Sequence, residues 1–206
     1  EDEVRNINLP SKKSYRTSIT NKLRDEIRAE AAHYDESASH FLEIGCDQGY
    51  TTLSICDAFS KVTACDIDAR RIRCCESNAQ SALEKHSVGE NITFVEATSK
   101  TIKSDHWDVV LIDALHTYKG VKTDFRQILQ KNKAERFTVF FHDFWRLDFG
   151  VQRYIREIFK EDEFSFAGEP ATWQPDRKIT KKRSDYEAVF VRFDPELRKK
   201  VAERAL

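Results

Sequence analysis

Apolar and polar positions follow two rhythms along this chain. Between residues 18 and 33, Ile19, Leu23, Ile27 and Ala31 recur at every fourth position among charged neighbours, which predicts an amphipathic helix laid over another layer. Short apolar runs then appear at 41–44, 62–65, 92–95, 109–112 and 138–141. Helical patterns fill the intervals at 51–59, 70–86, 121–131 and 151–159. Strands alternating with helices predict a parallel sheet covered on both faces. Two further runs, 164–166 and 188–193, are joined by a long polar loop and read as an antiparallel pair closing the sheet. The expected fold is therefore α/β: a doubly wound, Rossmann-like, seven-stranded, mostly parallel sheet with an antiparallel C-terminal hairpin. One domain is expected over 1–206, with an N-terminal helical extension at 1–38, the core at 39–194 and a C-terminal helix at 195–206. The loop at 169–185, with Pro170, Trp173 and Pro175, exceeds the usual connection length and reads either as a lid or substrate loop or as disorder.

Charge and composition narrow the partners. A net charge of -1 gives no overall field to draw in nucleic acid or an anionic membrane, so neither partner is expected. The basic run at 177–183 (RKITKKR) is the one local patch, and such runs are more often solvated loops. No apolar stretch approaches the roughly 18 residues of a spanning helix, and the first residues lack the apolar core of a secretory signal, so a cytoplasmic location is expected. Methionine is absent, which suggests a processed or engineered start. Five cysteines without paired spacing fit a reducing compartment. Cys46, Cys56 and Cys65 read as small buried hydrophobes, and the neighbours Cys74 and Cys75 point apart, so no zinc site is expected.

Chemistry concentrates at the ends of the apolar runs. In FLEIGCDQGYTT (41–52) the first strand ends in Glu43, Gly45, Cys46, Asp47, Gly49 and Tyr50 before a helix begins. Glycines there let the main chain turn and a ligand approach it, and the free N–H groups of the helix start favour a nucleotide-like ligand. The second strand ends at Asp66 in CDID, about 20 residues later, where an acid accepts both hydroxyl hydrogens of an adenosine ribose. Asp68 is assigned to the cap of the next helix. In LIDALHTYKGVKTDF the fourth strand ends at Asp113, with His116 and Tyr118 beyond it; in FFHDF the fifth ends at His142 and Asp143. If the fourth strand lies between the first and the fifth, these groups converge in one crevice. Asp113, His142 and Asp143 then form a candidate site for magnesium or another divalent cation, and Asp113 with His116 the catalytic pair, His116 taking a proton. The bland alternatives are that Asp143 caps the following helix, that His142 is a satisfied strand-end histidine and that Tyr118 is packing.

These segments resemble the class I S-adenosylmethionine-dependent methyltransferases over most of the span 41–193. EIGCDQG looks like the family's cofactor loop and CDID like its ribose-binding acid; IDALHTY followed by FFHDF is similar to a subgroup of small-molecule O-methyltransferases. The resemblance implies a cofactor site of Glu43, Gly45, Cys46, Asp47, Gly49, Tyr50, Asp66, Ile67, Ala97, Thr98 and Asp113, with Ile67 against the adenine. It implies S-adenosylmethionine as cofactor and a small-molecule hydroxyl as acceptor. Specificity is expected to reside in the N-terminal helix, the segment around Trp145 and Arg146, and the Trp173 loop. One departure stands out: Ala97 and Thr98 occupy the place where many members carry Gly-Asp to contact the adenine. A metal-independent N- or C-methyltransferase and a catalytically weak binding module are the alternatives, and a homo-oligomer is open. A dinucleotide oxidoreductase is disfavoured because the G-x-G-x-x-G spacing is missing.

Overall fold

The computed structural model describes residues 19–35, 37–87, 89–147, 149–170 and 185–205. Residues 1–18 of the N-terminal extension and 171–184 of the 169–185 loop, including Trp173, Pro175 and the 177–183 basic run, lie outside the described residues.

Seven strands form one sheet: β1 (His40–Ile44), β2 (Lys61–Asp66), β3 (Ile92–Glu96), β4 (Val109–Ile112), β5 (Phe137–Phe141), β6 (Ser165–Pro170) and β7 (Tyr186–Phe193). Their order is β3-β2-β1-β4-β5-β7-β6, with the first five parallel and β7 antiparallel to both neighbours. The helices are α1 (Asn21–Glu30), α2 (Tyr50–Ile55), α3 (Ala69–His86), α4 (Tyr118–Lys131), α5 (Val151–Ile158) and α6 (Pro195–Ala205). The expected α/β architecture, mostly parallel sheet and closing hairpin are all observed. β7, however, slots between β5 and β6. Its alternating residues match β5, with Phe193 opposite Phe137 and Phe190 opposite Phe140. β6 is left as the edge strand, where Pro170 withholds no needed donor.

The pleat divides the core. Leu42, Ile44, Val110, Ile112, Val139 and Phe141 face α4, α5 and α6, where Phe125, Tyr154 and Phe159 pack. Their neighbours Phe41, Val62, Val109, Leu111 and Phe140 face the other way, onto α1 and Phe59. The fourfold spacing read in the sequence is the buried stripe of α1, with Leu23 and Ile27 fully enclosed. Thr20 caps that helix by accepting from the Leu23 N–H. Because β1, β2, β4 and β5 are parallel neighbours, their carboxyl ends open on one side, which is where the polar residues gather.

Candidate active site

A cavity of about 1540 Å³ lies at these strand ends. Gly45 closes its floor. It adopts φ +92°, and a Cβ there would stand 2.5 Å from the Asp113 carbonyl oxygen and 2.6 Å from Ala114 Cα, so only glycine lets the exits of β1 and β4 meet. Asp47, also in a left-handed conformation at φ 47°, lines the wall. Its N–H donates to Asp66 Oδ2 (3.2 Å), while the Asp68 N–H donates to Asp66 Oδ1 (2.9 Å). Two backbone donors thus fix the Asp66 carboxylate at the cavity, 5 % exposed. Asp68 instead accepts from the Arg70 N–H and caps α3. Ile67 stands at the lip, 73 % exposed.

Four residues expected around a cofactor do not line this cavity: Glu43, Cys46, Gly49 and Tyr50. Glu43 is 1 % exposed beneath it, accepting from the Thr52 hydroxyl, and burial pushes its carboxyl up to about 8. Cys46 turns inward, its sulfur 3.7 Å from that of Cys75. Gly49, at φ +78°, precedes α2, and a Cβ there would press on Cys75. Of the three acids expected to line one cleft, Asp66 and Asp113 do and Glu43 lies under it. The reason is the pleat: the face that carries Glu43 turns to Thr52 of α2.

Across the cavity, β4 and β5 bring together Asp113, His116, His142 and Asp143, each offering a ligand atom within 4.8 Å of the others. His142 Nδ1 lies 2.7 Å from Asp113 Oδ1, and His116 Nε2 lies 3.0 Å from the same oxygen and 3.5 Å from Asp143 Oδ2. On its far side His142 Nε2 lies 3.4 Å from Glu187 Oε1. Burial alone would discharge this imidazole, but the charges of Asp113 and Asp143 and the Glu187 contact raise its pKa well above 6.5. Each ring nitrogen thus faces a carboxylate oxygen. Burial likewise opposes the charge on Asp113, yet the two histidines hold its carboxyl below the usual range. The His116 ring stacks on Phe149 at 4.8 Å, and the Gly150 N–H donates to the His116 carbonyl. Asp143 does not cap the next helix. It sits in a left-handed turn at φ 56°, and Trp145 Nε1 donates to its Oδ1 (3.1 Å), while α5 begins later, after Gly150 with no side-chain cap. Tyr118 is packing: its hydroxyl donates to Glu157 and its ring meets Tyr154 edge-on.

Glu187 is the residue the sequence did not single out. Buried at 1 %, it accepts from the Thr20 N–H (2.9 Å), the Thr20 hydroxyl and the Glu169 N–H (3.3 Å). Burial opposes its charge, but His142 and Thr20 lower its pKa below the ordinary value. Ile19, Thr20, Asn21 and Arg24 at the start of α1, with Trp145 and Arg146, complete this half of the cavity. At the other end lie Ala97, Thr98, Ser99 and Lys100.

Comparison with known proteins gives consistent results. Residues 42–144, 103 of 206, match a family described as a methyltransferase domain. No curated protein sequence matches the chain. Among solved structures, a tRNA (m1A58) methyltransferase from Aquifex aeolicus superposes with a TM-score of 0.61 at 15% identity, over 92% of this chain and 74% of that one. An O-methyltransferase from Bacillus cereus, in complex with SAH, gives 0.59 at 15% identity, over 93% and 88%. The magnesium protoporphyrin IX methyltransferase from Synechocystis PCC 6803, with bound SAM, gives 0.57 at 17% identity, over 82% and 76%. At these identities the likeness is one of fold. No helix of the described residues is long and apolar enough to cross a membrane.

Proposed function

The chain belongs to the methyltransferase-domain family, and from that premise we propose that it transfers the methyl group of S-adenosylmethionine to a hydroxyl oxygen of a small molecule, with a divalent cation held by Asp113, His142 and Asp143. The observation that carries this reading is the meeting, in one cavity, of a glycine turn, a pinned acid at the β2 tip and a four-donor cluster at the ends of β4 and β5. The Bacillus cereus and Synechocystis neighbours, with SAH and SAM respectively, support the cofactor.

The donor chemistry fits both groups. Asp66, with one backbone donor on each carboxylate oxygen, keeps lone pairs for a ribose diol, and exposed Ile67 offers an apolar surface to a base. Carboxylate oxygens suit magnesium, and the imidazoles widen the choice toward manganese- or zinc-like ions. His142 would be a ligand of that ion, with Glu187, 3.4 Å from its Nε2, orienting the ring. S-adenosylmethionine supplies an electrophilic sulfonium methyl, and a bound cation lowers the pKa of an acceptor hydroxyl. His116 is assigned the proton, since its side chain is 27 % exposed against 9 % for His142 and reaches the same centre. The remaining work is the alignment of donor, methyl and acceptor within the cavity.

Titration calorimetry with S-adenosylhomocysteine, followed by methyl transfer to a panel of hydroxylated acceptors with EDTA and with added magnesium or manganese, tests the reading. Micromolar cofactor binding and chelator-sensitive turnover are expected. Full activity in EDTA removes the cation in favour of a metal-free N- or C-methyltransferase, and absence of cofactor binding at millimolar concentration removes the methyl-transfer reading.

A further inference from the structure

At the 97–100 end of the cavity the chain departs from the Gly-Asp pair that many class I methyltransferases carry after β3. Ala97 stands there, its N–H donating to the Asp66 carbonyl. Thr98 does not replace the acid: its hydroxyl accepts from the N–H groups of Lys100 (3.2 Å) and Thr101 (3.3 Å) and lies 3.2 Å from the Thr101 hydroxyl, so it is consumed by its own turn. Beyond these residues the cavity wall continues onto the first turns of α4, at Gly120, Thr123 and Asp124. Gly120 permits this, since a Cβ there would meet the Leu115 carbonyl oxygen at 2.3 Å.

Asp124 is the one carboxylate on that wall. It is 9 % exposed, and its Oδ1 accepts from the Ser99 hydroxyl at 2.6 Å. Its other oxygen, Oδ2, has no hydrogen-bond partner among the described residues. Burial pushes the carboxyl above its ordinary value, the Ser99 bond only partly offsetting it. Oδ2 is not fully enclosed, so a donor brought by a ligand in the cavity can reach it. With the ribose at Asp66 and the sulfur toward Gly45 and Asp113, the base is directed past Ile67 toward 97–100 and α4. Resting on the methyl-donor reading above, we propose that Asp124 is the recognition group for the exocyclic amine of the adenine, supplying from α4 the acceptor that the loop after β3 lacks, and that Ser99 orients it.

The test compares S-adenosylhomocysteine with S-inosylhomocysteine, in which a carbonyl replaces the amine, by titration calorimetry on the full chain and its Asp124→Ala and Asp124→Asn variants. The native protein is expected to prefer the adenine ligand by roughly tenfold or more, the worth of one hydrogen bond to a charged group. Asp124→Ala loses that preference. Asp124→Asn reverses it: the Ser99 hydroxyl holds the amide oxygen, leaving the amide N–H to face the cavity and donate to the carbonyl of the inosyl ligand. Equal affinity of the native protein for the two ligands overturns the assignment without recourse to any variant. Equal weakening of both ligands in both variants, with unchanged selectivity, also overturns it and makes Asp124 a support for the 97–102 loop. Failure of the native protein to bind either ligand removes the methyl-donor reading and this assignment with it.

Discussion

Replacing Glu43 with glutamine should remove a pH dependence from the stability of the fold. The carboxyl is enclosed at 1 % exposure with the Thr52 hydroxyl as its donor, and burial moves it from 4.5 to about 8. That separation corresponds to on the order of 5 kcal/mol at about 1.4 kcal/mol per pH unit, an upper figure because the interior relaxes around a charge. The folded chain holds this proton more tightly than the unfolded chain does. The contribution is therefore complete below about 4.5, shrinks as pH climbs through the interval and is gone above about 8. Urea denaturation of the native protein and Glu43→Gln at half-unit steps from pH 5 to 8.5 measures it, and the difference between the two cancels all other titrating groups. The native protein should lose several kcal/mol relative to the variant between pH 5 and 8. A difference that stays flat across this range would refute the buried, protonated carboxyl and with it the inward orientation of Glu43.

Other outcomes follow from the same geometry. Gly45→Ala forces a Cβ to within 2.5 Å of backbone at φ +92° and should cost roughly 2–5 kcal/mol in chemical denaturation. Gly49→Ala meets only the Cys75 side chain, at 3.2 Å, and should cost about 1–2 kcal/mol. Glu30, 3 % exposed, accepts from Thr138 Oγ1 (2.6 Å) and from Arg192 Nε and Nη2 (both 2.8 Å); Glu30→Ala should lose about 3 kcal/mol, read as a lowered unfolding midpoint. Asp66→Ala should abolish S-adenosylhomocysteine binding in calorimetry, whereas Asp68→Ala, which removes the α3 cap and an exposed pair with Arg70, should bind normally and melt slightly earlier.

The strands were legible because each is a short apolar run stopped by a polar residue, and five of them sit at the cavity edge that this pattern implied. That Asp68 caps α3 while Asp66 lies at the cavity was also readable, since one precedes a helix and the other ends a strand. What the sequence withheld is pairing. Nothing in YEAVFVRF says that β7 lies beside β5, so Glu187, one residue before the run expected at 188–193, drew no assignment although it is a buried partner of His142. Asp124 was hidden for a similar reason: an acid on an amphipathic helix looks solvated until the loop it leans on is known. Glu43, Cys46, Gly49 and Tyr50 belong to the turn as expected, but a motif names residues without saying which way they face. The left-handed turn at Asp143 has no signal at all in FFHDF.

Glu187 joins partners far apart in the chain, since the bond from the Thr20 N–H spans 167 positions. The half of the cavity that Glu187 ties together therefore cannot be assembled by a growing polypeptide until β7, the last strand in chain order, has left the ribosome. Earlier intermediates would carry the turns at Gly45 and Asp66 with an unfinished wall opposite, which makes a complete cavity one of the last properties this protein acquires as it folds.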